Sequence, residues 1–115
     1  MNRIFRNKNE LINNIVKSTD VVLDVGFFGQ GMTEDSPKWG HRMLRDRAKD
    51  VYGLDVALYE PTDHSRREHY KQGSAEQFRY ETQFDKIYAG DLIEHLSNPG
   101  LFLDSCAKAL KEGGS

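Results

Sequence analysis

Two acidic residues, Asp24 and Asp55, stand at the ends of short apolar runs of the chain. A glycine-rich turn follows the first run, Val21–Val25, and the second run covers residues 51–54. Glycines let the backbone turn tightly and approach a ligand without a Cβ in the way. A carboxylate offers two acceptor oxygens, which suit a pair of neighbouring hydroxyls. This spacing predicts a site for a ribose-bearing cofactor.

The elements that must position these acids are predicted from hydrophobic periodicity and capping residues. A helical stripe runs from Leu11 to Val16. Ser36-Pro37 and Asn98-Pro99 are typical of helix starts, and Trp39 is expected to be a core residue of the helix that follows the first pair. Strands are predicted at residues 21–25, 51–54, 69–72 and 84–89, and a short helix is expected to begin within residues 73–76.

Helices and strands alternate in this prediction, which favours a parallel sheet with helices on both faces. Right-handed crossovers then place the carboxyl ends of the strands, and the ligand, on one edge. With 115 residues the chain is expected to form one domain, residues 1–115.

The composition limits the kinds of molecule that the chain is expected to bind. The net charge of −2 gives no electrostatic reason to expect nucleic acid or a membrane surface. The single cysteine, Cys106, excludes an internal disulfide and a cysteine-cluster metal site, and the histidines show no ligand spacing, so no metal is assigned. No apolar run approaches the roughly 20 residues of a membrane span and no secretory signal is present, so a cytoplasmic protein is expected.

Three segments carry a family resemblance. Residues 22–26 read Val-Leu-Asp-Val-Gly, residues 84–87 read Phe-Asp-Lys-Ile, and residues 90–96 read Gly-Asp-Leu-Ile-Glu-His-Leu. Together with Leu-Lys-Glu-Gly-Gly at residues 110–114, they make the chain resemble the N-terminal half of the class I S-adenosylmethionine-dependent methyltransferases. The resemblance implies a Rossmann-like, doubly wound, mainly parallel sheet, truncated after the fourth strand and its following helix. It also implies S-adenosylmethionine as the cofactor.

The resemblance implies a role for each matched position. The glycine turn would lie beside the methionine portion of the cofactor, Asp55 would hold the ribose hydroxyls, and residues 74–76 would lie near the adenine. The candidate cofactor-binding residues are Asp24, Gly26, Phe27, Gly29, Gly31, Asp55, Val56, Ser74, Ala75, Glu76 and Asp91.

Catalysis and substrate are less defined by the sequence. Asp91 and His95 are the candidate catalytic residues, His95 as a base that could take a proton from a hydroxyl nucleophile, although a structural histidine packed under the loop is the favoured interpretation of its position. The methyl acceptor is predicted to be a small molecule, because the chain has no basic surface and no nucleic-acid motif.

Other interpretations remain open. Phe28 and Gln30 stand where the family has glycines, so the turn is expected to be wider. The chain could also be a non-catalytic module that binds the cofactor or a partner and completes its sheet by oligomerisation at the exposed edge of the last strand. A nicotinamide-dependent oxidoreductase fits less well, because the spacing G-x-G-x-x-G is missing.

Overall fold

The structure, a computed structural model, describes residues 8–28, 39–61, 64–90 and 96–115. The strands are β1 (Val21–Val25), β2 (Asp50–Asp55), β3 (Tyr70–Gln72) and β4 (Lys86–Tyr88). The helices are α1 (Lys8–Ile15), α2 (Gly40–Arg47) and α3 (Pro99–Ala109), and a 3-10 helix covers His64–His69. Helices and strands alternate from α1 to β3, as the sequence predicts, and β4 then follows β3 with no helix in the described residues 73–85 between them.

All the strand pairs of the sheet are parallel, and the strand order is β3-β2-β1-β4. β1 lies inside the sheet, which explains why its sequence is an almost unbroken apolar run. Because the strands are parallel, their carboxyl ends meet at one edge of the sheet. The expected parallel architecture is confirmed.

Helices cover both faces of the sheet, as a doubly wound fold requires. Side chains alternate between the faces along β1, so that Val22 and Leu23 enter different cores. On the face of α1 and α2, the core consists of Ile12, Val16, Val22, Leu44 and Val51. On the face of α3, it includes Leu23, Val25, Leu54, Phe84, Phe102, Cys106 and Ala109.

The start of α3 follows the predicted capping pattern. The Oδ1 atom of Asn98 accepts a hydrogen bond from the Leu101 amide at 3.3 Å, and Pro99 is the first residue of the helix. An N-cap acceptor satisfies an amide that has no partner within the helix, and proline lacks such an amide. The sequence signal and the local structure therefore agree here.

Two predicted elements differ from the structure. Residues 73–76 do not begin a helix: Ser74 forms an isolated bridge with Gln77, and its Oγ accepts the Glu76 amide at 3.1 Å. This local bond competes with a helical turn. The last strand is shorter than predicted, because Phe84 pairs with Leu110 outside β4. The Ser36-Pro37 helix start lies outside the described residues.

None of the helices within the described ranges has the length and apolar character that crossing a bilayer requires.

Candidate functional site

The turn after β1 begins with Gly26, which is exposed at the carboxyl edge of the sheet. Its φ angle is 76°, in the left-handed region that glycine adopts without steric cost. Its amide donates to the Leu54 carbonyl at 2.7 Å, so the turn is tied to β2. A turn therefore begins at this edge with exposed glycine backbone, as the glycine-rich sequence predicts.

Asp55 ends β2 and connects two loops of this edge. Its Oδ2 accepts the Phe28 amide and its Oδ1 accepts the Ala57 amide, each at 2.9 Å. The carboxylate is half-buried, and each of its oxygens can accept more than one hydrogen bond. Asp55 therefore braces the glycine turn and still has acceptor capacity for a ligand.

The segment after β3 forms the third part of the edge. The Gly73 amide donates to the Asp55 carbonyl at 2.8 Å, which places this segment next to the end of β2. Ser74 is exposed, whereas the Ala75 side chain belongs to the core, and Glu76 accepts the Ser97 amide at 3.2 Å. Ser74 is therefore the member of this predicted group whose side chain is open to solvent.

Val56 directly follows Asp55 and is 71% exposed. An apolar side chain left in water next to a carboxylate provides a surface for a flat, weakly polar ring. The described part of this edge thus presents an exposed apolar side chain at Val56, a half-buried carboxylate at Asp55 and exposed backbone at Gly26.

Asp24 is buried, unlike Gly26 two residues later. It is only 3% exposed, and its Oδ2 lies 3.0 Å from Nδ1 of His41, a buried residue of α2. The other ring nitrogen, Nε2, lies 3.1 Å from the hydroxyl of Tyr70. The carboxylate of Asp24 therefore points toward α2 and is part of a buried polar chain, two residues before the exposed turn.

Aromatic rings surround this polar chain. The ring of Phe27 is 5% exposed and its centroid lies 4.8 Å from that of His41 and 5.1 Å from that of Tyr70. The Phe27 carbonyl accepts from Nε1 of Trp39 at 2.6 Å, and Trp39 is buried, as expected. Phe27 therefore supports the turn from inside the protein, and its ring does not line an open cleft.

The sequence interpretation missed His41 and Tyr70. A signal for His41 exists, because it lies three residues before the buried Leu44 and so shares the inner face of α2. A buried histidine must find polar partners, yet the sequence does not show which ones. Tyr70 lies 29 residues away from its partner in the chain.

Four predicted site residues, Gly29, Gly31, Asp91 and His95, lie outside the described residues. Within the described ranges no three metal-binding side chains are grouped closely enough to hold an ion.

Groups with shifted pKa values have structural causes. The Val21 amide, which donates to Asp85 at 2.8 Å, holds the pKa of that carboxyl below its usual value, and Lys111 adds to the effect. Burial raises the pKa of Tyr80 to about 12 and that of Cys106 to about 11. At neutral pH the Asp85 carboxyl is thus ionised, whereas the phenol and the thiol keep their protons.

Comparison with known proteins identifies the family. A family model described as a methyltransferase domain matches residues 36–115. The ubiquinone biosynthesis O-methyltransferase of Caulobacter vibrioides is 30% identical over 95 residues, covering 81% of this chain and 37% of that protein. Its counterpart in Aliivibrio fischeri (strain MJ11) is 32% identical over 102 residues, covering 81% and 40%.

Comparison with solved structures shows a shared fold. A Bacillus halodurans C-125 crystal structure described as a methyltransferase superposes with a TM-score of 0.71 at 22% identity, covering 96% of this chain and 48% of that one. The chain therefore spans half or less of the length of these relatives. The methyl donor that the family implies is S-adenosylmethionine. Because the family model matches residues 36–115, which is more than half of the chain, the chain belongs to the methyltransferase domain family.

Proposed function

We propose that this chain is the cofactor-binding part of an S-adenosylmethionine-dependent methyltransferase domain, with all of residues 1–115 in that domain. The observation that carries the proposal is the position of Asp55. Its carboxylate lies at the carboxyl end of β2 and is held by the amides of Phe28 and Ala57. A ligand that binds in the crevice at this edge of a parallel sheet would meet an oriented pair of acceptor oxygens.

We assign the other predicted residues to three parts of the cofactor. Gly26 and the backbone of Phe27 would lie beside its methionine portion, together with Gly29, Gly31 and Asp91. Asp55 would accept the ribose hydroxyls. Val56 and the segment of Ser74, Ala75 and Glu76 would contact the adenine. The exposed glycine at φ 76°, the half-buried carboxylate and the exposed valine fit these three parts of the ligand.

The bound cofactor supplies an activated methyl group on a sulfonium, and the protein supplies position and a water-poor environment. Positioning alone can contribute about 7–11 kcal/mol to such a reaction. The residues of this chain would therefore bind and orient, and His95 or Asp91 is a candidate for moving a proton when the acceptor is a hydroxyl.

We propose a small-molecule acceptor. The curated relatives are O-methyltransferases of ubiquinone biosynthesis, and the net charge of −2 does not favour nucleic acid or an anionic membrane surface. We also propose that the protein is cytoplasmic.

Isothermal titration with S-adenosylmethionine tests the cofactor site. We expect micromolar binding to the wild-type chain, and a loss of roughly tenfold or more in Asp55→Asn, because a charge-assisted acceptor becomes a neutral amide. Asp104→Asn is the matched control, since Asp104 is exposed on α3 and should bind as the wild type does. NADH should not bind. Equal affinity in the wild type and Asp55→Asn would contradict the proposal.

The alternative, a module that completes its sheet by self-association, is supported by the position of β4 at one end of the strand order. The backbone of Ser115 lies beside this strand, where it donates to the Asp85 carbonyl at 3.0 Å and accepts the Ile87 amide at 2.8 Å. These two bonds occupy outward-facing backbone groups of Asp85 and Ile87, so a second copy would have to pair with the rest of this edge. Light scattering tests the alternative: a stable dimer would support it, and a monomer would contradict it.

A further inference from the structure

A polar chain of Asp24, His41 and Tyr70, buried at the first two residues and half-buried at Tyr70, crosses three strands beneath the glycine turn. Asp24 of β1 is in register with Gly53 of β2, and Gly53 is in register with Tyr70 of β3. Register partners on neighbouring parallel strands point to the same face, and strands lie about 4.8 Å apart, so the backbones of Asp24 and Tyr70 are separated by about 10 Å. His41 enters from α2 and joins the two, at 3.0 Å from the carboxylate and 3.1 Å from the hydroxyl.

Gly53 makes this arrangement possible. A Cβ at this position would lie 2.6 Å from Cδ1 of Phe27 and 2.9 Å from Cδ1 of Tyr70. The space that a side chain of β2 would occupy is thus filled by aromatic rings that hold the imidazole. The position of His41 between Asp24 and Tyr70 is therefore fixed by packing as well as by hydrogen bonds.

Both ring nitrogens of His41 are engaged. Nδ1 faces the Asp24 carboxylate and Nε2 faces the Tyr70 hydroxyl. The imidazole is thus held at two points, and it fixes the direction of the carboxylate.

Burial increases the distance over which the charge of the Asp24 carboxylate acts. The side chains of His41 and Asp24 are 0% and 4% exposed, so water screens the carboxylate poorly. Charges in such surroundings interact more strongly than charges at the surface. The carboxylate lies two residues before Gly26, at the turn proposed to hold the methionine portion of the cofactor.

We propose that His41 and Tyr70 are positioning residues for Asp24. They hold its carboxylate as a fixed, buried negative charge that attracts the ammonium group of the cofactor's methionine portion. This inference rests on the proposed cofactor site and adds to it two residues that touch no ligand themselves.

The test compares two ligands that differ in the amino-acid portion, which carries that ammonium group. S-adenosylhomocysteine carries the amino-acid portion, whereas 5′-methylthioadenosine has the same adenosine part and lacks it. Isothermal titration of both ligands into the wild type, His41→Leu, His41→Asn and Tyr70→Phe measures how much each variant loses for each ligand. Thermal unfolding followed by circular dichroism confirms that each variant is folded.

We expect His41→Leu to lose roughly tenfold in affinity for S-adenosylhomocysteine and less than about twofold for 5′-methylthioadenosine. His41→Asn places an amide donor near the position of Nδ1, so it should recover part of the loss. Tyr70→Phe removes one hydroxyl and keeps the ring, so it should show the same selective loss at roughly threefold. If His41→Leu fails to fold, the other two variants carry the comparison.

The outcomes separate this inference from the proposed function. If the wild type binds both ligands and folded variants lose both equally, or lose neither, His41 and Tyr70 are structural only and the inference is overturned while the cofactor site stands. If the wild type binds neither ligand, the proposed cofactor site is wrong and the inference is overturned with it.

Discussion

The ring of Phe27 lies directly over Gly53, so closely that a Cβ on Gly53 would come within 2.6 Å of the Phe27 Cδ1 atom. Phe27 belongs to the turn after β1, and Gly53 lies within β2. The turn at the candidate site is therefore anchored by a side chain that can pack only because its neighbouring strand has none at this position.

Replacing Gly53 should lower the free energy of unfolding. Gly53→Ala would force the rings of Phe27 and Tyr70 to move within a packed cluster, so we expect a loss of roughly 1–3 kcal/mol in the free energy of unfolding, measured with urea. Gly73→Ala is the control, because its nearest contact would be the end of the Leu54 side chain at 3.3 Å. A loss in Gly53→Ala no larger than that in the control would show that the ring contact is not essential.

The sequence predicts the fold better than it predicts the polar interior. β1 and α3 follow from an apolar run and an Asn98-Pro99 start, which are local signals. The chain of Asp24, His41 and Tyr70 depends on contacts between residues 17 and 29 positions apart, and no local pattern specifies them. The sequence predicts that Asp24 lies near the cofactor, and it does not predict that the carboxylate is buried against α2.

Asp85 should make stability depend on pH. The Val21 amide and Lys111 lower its pKa in the folded chain, so folding favours the ionised form. The stabilisation is present at neutral pH and is lost as the pH falls below about 4, through the lowered pKa. We expect Asp85→Asn to lose about 1–2 kcal/mol at neutral pH and progressively less in acid.

Urea unfolding of the wild type and Asp85→Asn at neutral pH and at about pH 3 measures this difference. Asp104→Asn, which changes an exposed carboxylate of α3, is the control and should follow the wild type. A gap between the wild type and Asp85→Asn that stays constant over this range would disprove the role assigned to the Val21 bond.

Cys106 should react slowly in the folded chain. It is 9% exposed on the inner side of α3, and burial raises its pKa to about 11. The thiolate is the reactive form, so we expect reaction with a disulfide reagent at neutral pH to be on the order of a hundredfold slower than in urea. Comparable rates in both conditions would mean that the α3 core opens readily.

The cap of α3 should contribute measurably to stability. Asn98→Ala removes the acceptor of the Leu101 amide, and we expect a loss of about 1 kcal/mol in the free energy of unfolding. Asn98→Asp keeps a side-chain acceptor and should stay close to the wild type. Equal losses in the two variants would indicate that the bond itself contributes little.

The cofactor is proposed to bind at the carboxyl edge of the sheet. The most direct measurement is a titration of the ¹⁵N-labelled chain with S-adenosylhomocysteine, followed by amide chemical shifts. We expect the largest shifts at residues 26–28, 55–57 and 73–76. Large shifts confined to the opposite edge, at the first residues of β1 and β2, or no shifts at saturating ligand, would contradict this proposal.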